Sequence, residues 1–369
     1  MHDADGHSIT GFLVLLIAVL SASGSAWLWI FHRWPPGRPL LKLEPRRPVP
    51  WGISDAVMIL VGWVMLQALL PALLRPLLGM EPLDPDVPKT PEDFRVMMLG
   101  VLVANVIAGV CTPLWLWFGR GARAADLGFS TRCLPADLWR GAVAFAAVSV
   151  PVYALQMLLV KFFPSHHPLV QLLQESRDAA TIVISVLMAS IAAPIVEEML
   201  FRLVLQGALE TVESRALTSA DPLETIAAPA TEEEYSPSEI MPSSGQSNSA
   251  EDNAYAAPRL LDHPANAPDG PSNLPPESAA ADASDIVGGQ KGPSRFWGLR
   301  PGIWPIAISS SVFALAHWQH GPDPIPLFVL AVVLGYLYRQ THRIVPSIVV
   351  HVLLNSCSLA TLWLQPPGK

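Results

Sequence analysis

The chain has 369 residues, 51% of them hydrophobic and 15% charged, with a formal net charge of −8 and a mean hydropathy of +0.38. Soluble domains carry about 25% charged residues, and there is no basic stripe with interleaved aromatics to meet phosphates, so composition argues against a soluble enzyme and a nucleic-acid binder alike. The three scattered cysteines, Cys111, Cys133 and Cys357, exclude a disulfide scaffold.

What remains is an all-α polytopic membrane protein. A bilayer core of about 30 Å takes roughly 20 apolar residues in a helix. About eight transmembrane helices are predicted, near Thr10–Phe31, Ile53–Leu74, Val96–Phe118, Trp139–Phe162, Ala180–Gln206, Ile303–Trp318, Ile325–Tyr338 and Ile344–Leu364. The sixth and seventh are short, and the turn His320-Gly321-Pro322-Asp323-Pro324 joins them. Arg33, Arg38, Lys42, Arg46 and Arg47 follow the first span, whereas Asp3 and Asp5 precede it. Lys and Arg stay on the cytoplasmic side, so the N-terminus is expected outside. Small residues over Ser21–Ala26 resemble a cleavage site, but the segment before the first span lacks the positive charge of a signal peptide.

The acidity is local. From Glu210 to Arg300 there are 15 acidic and 5 basic residues, and Thr211–Arg300 holds 11 prolines without hydrophobic periodicity. Such a stretch buries too little apolar area to offset its chain entropy, so residues 210–300 are expected to be a disordered cytoplasmic insertion.

Few titratable side chains fall well inside the spans: Glu197, Glu198 and Arg202 in the fifth, His317 in the sixth and His351 in the eighth. Each costs about 2.5–3.5 kcal/mol to insert, so an intramembrane ionisable residue is a functional hypothesis by default. Glu198 and Arg202 are i,i+4 and share a helix face, with Glu197 about 100° away. His351 and Asn355 repeat that spacing, as do Phe313 and His317. An ion pair that only fixes packing accounts for Glu198 and Arg202 but not for Glu197. A Glu and a His converging on one water activate it as a nucleophile. A second His with an amide stabilises an oxyanion. Two His and a carboxylate also make a hydrolytic zinc site. Either arrangement performs attack of water on a carbonyl. Counted from the cytoplasmic span ends, Glu197 and His351 come out about 10–14 Å deep but His317 about 20 Å, a mismatch that requires an unusual sixth span.

At these residues the chain resembles the CAAX protease and bacteriocin-processing family (the abortive-infection, or type II CAAX prenyl endopeptidase-like, proteins). Glu197-Glu198-Met199-Leu200-Phe201-Arg202 fits its Glu-Glu-x-x-x-Arg motif, Phe313 to His317 its Phe-x-x-x-His motif, and His351 to Asn355 its His-x-x-x-Asn motif. Leu203 stands where members often have Gly, and the long acidic insertion is unusual. The resemblance divides the chain into N-terminal helices over 1–125, core segments over 126–209 and 301–369, and the insertion 210–300 between them. It implies an integral endopeptidase of the cell membrane with a catalytic cavity inside the bundle, acting on a membrane-associated protein or peptide, prenylated or not. It makes Glu197 and His317 the water-activating pair, His351 and Asn355 the oxyanion stabilisers, and Glu198 with Arg202 the support. No cofactor is favoured; Zn2+ on Glu197, His317 and His351 is the alternative, weighed down because only Glu198 is at hand to orient such ligands. A non-catalytic scaffold or immunity protein of the same fold, and a proton-coupled transporter, are the rival readings.

Overall fold

The computed structural model describes residues 2–34, 39–81, 90–163, 170, 173, 176, 178–219, 302–318 and 323–364. Among them every regular element is helical. The described residues belong to one compact unit, residues 1–221 with 293–369.

Eight helical rods build it. They are α1 (His2–Arg33), α2 (Ile53–Leu77), α3 (Pro91–Leu114, prolonged by a π turn over Trp115–Gly119), α4 (Leu134–Val160), α5, α6 (Ile303–Leu315), α7 (Pro324–Thr341) and α8 (Val345–Leu364). Helix α5 is continuous from Ala179 to Ser219 through alternating segments: α (Ala179–Ser185), π (Val186–Ala192), α (Ala193–Glu198), π (Met199–Gln206) and α again (Gly207–Ser219). Seven rods are long and apolar enough to cross a membrane; α6, with 13 residues, is not. Seven full-length rods plus one short helix thus replace the eight predicted spans.

Local chemistry starts these helices where it should. Thr90 Oγ1 accepts from Asp93 N (3.2 Å) while Asp93 Oδ2 accepts from Thr90 N (2.8 Å), a reciprocal box ahead of α3. Asp178 Oδ1 accepts from Thr181 N (3.1 Å) at the head of α5, and Arg95 pairs with the same carboxylate. Beyond the first turns, packing takes over. Helix α5 is the axle, with the α2–α3 hairpin on one side, the α6–α7 pair on another, and α8 across its first half. Helix α4 lies on α8, and α1 lies on α4. At the α4–α8 crossing a Cβ on Gly141 would stand 2.6 Å from Val349 Cβ and 2.8 Å from the Pro346 carbonyl, so only glycine allows that approach.

One correction concerns the insertion. Its first ten residues, read as disordered, are the last turns of α5, with Glu210 and Glu213 buried at 7% and 1% exposure. Their acidity hid them: in a composition window they look like the start of a charged tail, but each carboxylate has a buried partner. Residues 220–301, which hold the rest of the expected disorder, lie outside the described residues, as do His320 and the centre of its turn.

The end of the bundle where α5 stops and α6 starts is strapped by residues 39–52. Glu44 N donates to Gln340 O (2.9 Å), and its carboxylate pairs with Arg343, which also reaches Asp137 (2.7 Å). Arg46 donates to Tyr338 OH (2.5 Å), Arg47 grips Asp126 through two bonds (3.0 and 2.6 Å), and buried Trp51 donates to the Val204 carbonyl (3.1 Å). The Arg343 guanidinium holds the Glu44 carboxyl below the usual range. Three of the arginines at this end, Arg46, Arg47 and Arg343, therefore serve in ion pairs or hydrogen bonds, which a count of loop charges does not reveal.

His342 ends α7 in the left-handed region (φ 50). Burial, with Arg46 and Arg339 nearby, pushes its pKa down to about 3. The folded protein thus holds it neutral, while the unfolded chain protonates it near pH 6.5. The stabilisation is complete above pH 6.5 and is lost as pH falls toward 3. We expect the wild type to lose about 2 kcal/mol between pH 7 and 5 from this one group. His342→Asn, which tolerates the same backbone, should flatten the midpoint–pH curve in that window; equal slopes would remove His342 as the cause.

Candidate active site

Pro194 has no N–H to donate to the Ser190 carbonyl, so the turn before it opens into the wide π segment Val186–Ala192. A second π segment follows Glu198. The short α turn between them presents Glu197 and Glu198 in different directions. Glu198 is fully buried, and its Oε2 accepts from Arg202 Nε at 3.2 Å, the pairing that i,i+4 spacing predicts. Its Oε1 accepts from His351 Nδ1 at 3.0 Å. Glu197 faces the other way, with Oε2 at 4.0 Å from His317 Nε2 and 3.7 Å from His351 Nε2.

Both imidazoles are anchored from behind. A carbonyl only accepts, so the 2.9 Å contact of His317 Nδ1 with Phe313 O places the proton on Nδ1. The Glu198 carboxylate does the same for His351. Both rings so held turn Nε2 toward Glu197. Two acceptors each about 2.8 Å from one water stand about 4–4.5 Å apart, close to the separations here.

The same atoms test the zinc alternative. Zn2+ with ligands at about 2.0–2.2 Å in a tetrahedron holds its donors about 3.4 Å apart. The 3.7 and 4.0 Å separations exceed that by several tenths of an ångström, so Glu197, His317 and His351 would hold such an ion after drawing slightly together. The earlier reason against zinc, a shortage of orienting carboxylates, does lose its force, since a backbone carbonyl orients His317.

Phe313 is the centre of the packing. Fully buried, it stacks edge-on with Phe201 (5.1 Å between centroids) and His351 (5.7 Å), lies 5.0 Å from the His317 ring, and takes the Arg202 guanidinium over its face at 5.3 Å. Arg202 otherwise reaches Ser309 Oγ at 3.5 Å, and its Nη2 has no hydrogen-bond partner among the described residues. Five of the six predicted site residues, Glu197, Glu198, Arg202, His317 and His351, thus come together. Asn355 is tied to α5 as well: its Nδ2 donates to the Ala189 carbonyl (2.9 Å) on the first π segment.

Two crevices of about 200 and 230 Å³ lie along α5–α8 and α2–α3, and neither is lined by Glu197, His317 or His351. Exposure is confined to the His317 and Glu197 side chains, at 21% and 11%.

The depth mismatch disappears here. Helix α5 runs on past the predicted end at Gln206, so Glu197 lies about 22 Å from Glu213, while His317 lies about the same distance from Gly302. Glu213 and Gly302 are in contact, and the two functional side chains are therefore level. Sequence reading also missed Gln206, Ser309, Glu210 and Glu213. Their signal was present, since 198, 202, 206 and 210 repeat at i,i+4, but the span was ended at 206.

A family model described as type II CAAX prenyl endopeptidase Rce1-like matches residues 290–357. That segment carries Phe313, His317, His351 and Asn355 and stops short of the Glu197–Arg202 motif, which lies upstream of it. The match bears out the family resemblance read from the sequence, and it describes an endopeptidase. No curated protein and no solved structure matches the chain.

Proposed function

We propose that this chain is a multi-pass endopeptidase of the cell membrane, with its N-terminus outside and the insertion cytoplasmic, that hydrolyses peptide bonds of membrane-associated proteins or peptides. One observation carries the reading: Glu197 faces two imidazoles whose other nitrogens are both tied down. Glu197 takes a proton from a water that His317 or His351 Nε2 orients, and the water oxygen attacks the substrate carbonyl carbon. The C–N bond then breaks as Glu197 returns the proton to the leaving amine. In this scheme His351 carries a proton on each nitrogen throughout, donating Nδ1–H to Glu198 and Nε2–H to the oxyanion, so the only proton that moves is the one Glu197 relays, and the remaining N–H of Asn355 is the second oxyanion donor. Glu198, held by Arg202, keeps His351 oriented. A polypeptide ending in a prenylated Cys-aliphatic-aliphatic-X sequence is the substrate class that the family description favours.

The test is cleavage of an internally quenched, S-farnesylated peptide with that ending by the full chain in nanodiscs, with and without a chelator. Wild-type cleavage that survives the chelator and is abolished by His317→Ala is the expected result. Loss on chelation with recovery on added zinc would replace the mechanism by a metal-dependent one. A folded wild type that cleaves neither this peptide nor an unprenylated library would favour the scaffold reading.

A further inference from the structure

Helix α6 brings His317 to Glu197 and is tied to α7 by the short connection 316–323, but no short connection fixes its Gly302 end. It is 13 residues long, preceded by the long connection 220–301. A connection of that length imposes no register. The register is set by side chains. Both oxygens of the Glu213 carboxylate accept from Gly302 N, at 2.8 and 2.9 Å, immediately before α6. Arg339 of α7 backs the clamp, with Nη2 at 3.5 Å from Glu213 and Nη1 at 3.4 Å from Glu210. Gln206, one turn nearer the site, donates to Glu210 Oε1 and to the Gly335 carbonyl, both at 2.9 Å. Gly302 has φ +89, and a Cβ there would stand 2.7 Å from Arg339 Nε, so the clamp closes only around glycine.

Glu213 and Glu197 share α5, and Gly302 and His317 bound α6. The two rods act as matched rulers, each about 22 Å, pinned at one end and meeting at the reacting groups at the other. We infer that Glu213 is a positioning residue that sets the distance between His317 and Glu197 through the axial register of α6. This rests on the proposed protease reading for its kinetic consequence but not for its structural one. Because a displacement of about 1 Å at the reacting groups costs about 100-fold in rate, the clamp controls kcat from the far end of the bundle.

The experiment compares Glu213→Ala and Glu213→Gln in the full chain, in nanodiscs, by cleavage of the farnesylated peptide and by a spin-label distance. Labels go on Ile195→Cys and Leu315→Cys, both exposed, with the three native cysteines changed to serine. We expect Glu213→Ala to lower kcat about 10- to 100-fold with KM within about twofold, and to shift or broaden the label distance. Glu213→Gln keeps one acceptor oxygen and should restore kcat to within about threefold. A folded Glu213→Ala with unchanged label distance overturns the inference, whatever its activity, and so does a moved label distance with wild-type kcat. A wild type that cleaves nothing, with labels that still respond to Glu213→Ala, sinks the protease reading and leaves the clamp standing. If Glu213→Ala does not fold, Gly302→Ala takes its place, and an unchanged label distance there overturns the inference equally.

Discussion

Glu197→Gln should lower kcat by about 1,000-fold or more while leaving the bundle folded. The amide keeps the size of the carboxylate and removes its ability to take a proton, which general-base catalysis requires. Glu197 makes no ion pair with Arg202, which bonds to Glu198 instead. Its contacts are the two Nε2 atoms at 4.0 and 3.7 Å, and it is among the set's two side chains with measurable exposure. Loss of its charge therefore leaves no buried cation unpaired, and the melting midpoint should move little. Single-turnover cleavage of the farnesylated peptide, followed by mass spectrometry, measures the effect. A Gln variant within about tenfold of wild type would show that another group takes the proton.

Arg202→Met is expected to act on stability first. Arg202 and Glu198 are both fully buried and 3.2 Å apart, inside a helix otherwise lined by Leu200, Phe201, Leu203 and Val204. Removing one partner of such a pair strands the other charge, at a typical cost of about 3–5 kcal/mol. Replacing both with apolar or neutral groups removes the stranded charge as well. Arg202→Met should thus be strongly destabilised, and Glu198→Gln combined with Arg202→Met should recover more than half of the loss. Unfolding in mixed micelles, read for the two single variants and the double, gives the coupling. Activity should not return with stability, because His351 then faces an amide, which no longer fixes its Nδ1 proton. A single Arg202→Met as stable as wild type would show that the buried pair is not what holds α5 against α6.

Much of this protein is legible in one dimension because the bilayer imposes a simple rule. Apolar runs of a fixed length must be helices, since a backbone in hydrocarbon satisfies its own hydrogen bonds only that way. All eight predicted segments coincide with observed helices, differing by a few residues at most ends. The same rule exposed Glu197, Glu198, Arg202, His317 and His351, because a titratable side chain in such a run is costly and stands out. The i,i+4 pairing of Glu198 with Arg202 is local geometry and was readable for that reason.

What sequence could not supply is anything decided between helices. The end of α5 is the clearest case: Glu210 and Glu213 read as a soluble tail because composition cannot see Arg339, or the Gly302 amide that meets Glu213 across a connection of residues 220–301. The error in α5 length then produced the false depth of His317. Asn355 is a second case, since spacing puts it beside His351 and only packing sends its amide to Ala189. Phe313 is a third, a ring whose place against Arg202, Phe201 and both histidines no local pattern contains. By itself, then, the sequence determined the membrane class, the helices and the identity of the reactive groups, because hydropathy and charge burial are properties of single segments. The convergence of those groups on Glu197, the anchoring of each imidazole and the clamp that levels α6 with α5 were decided only by the tertiary structure, because each is a contact between residues that the chain order keeps far apart.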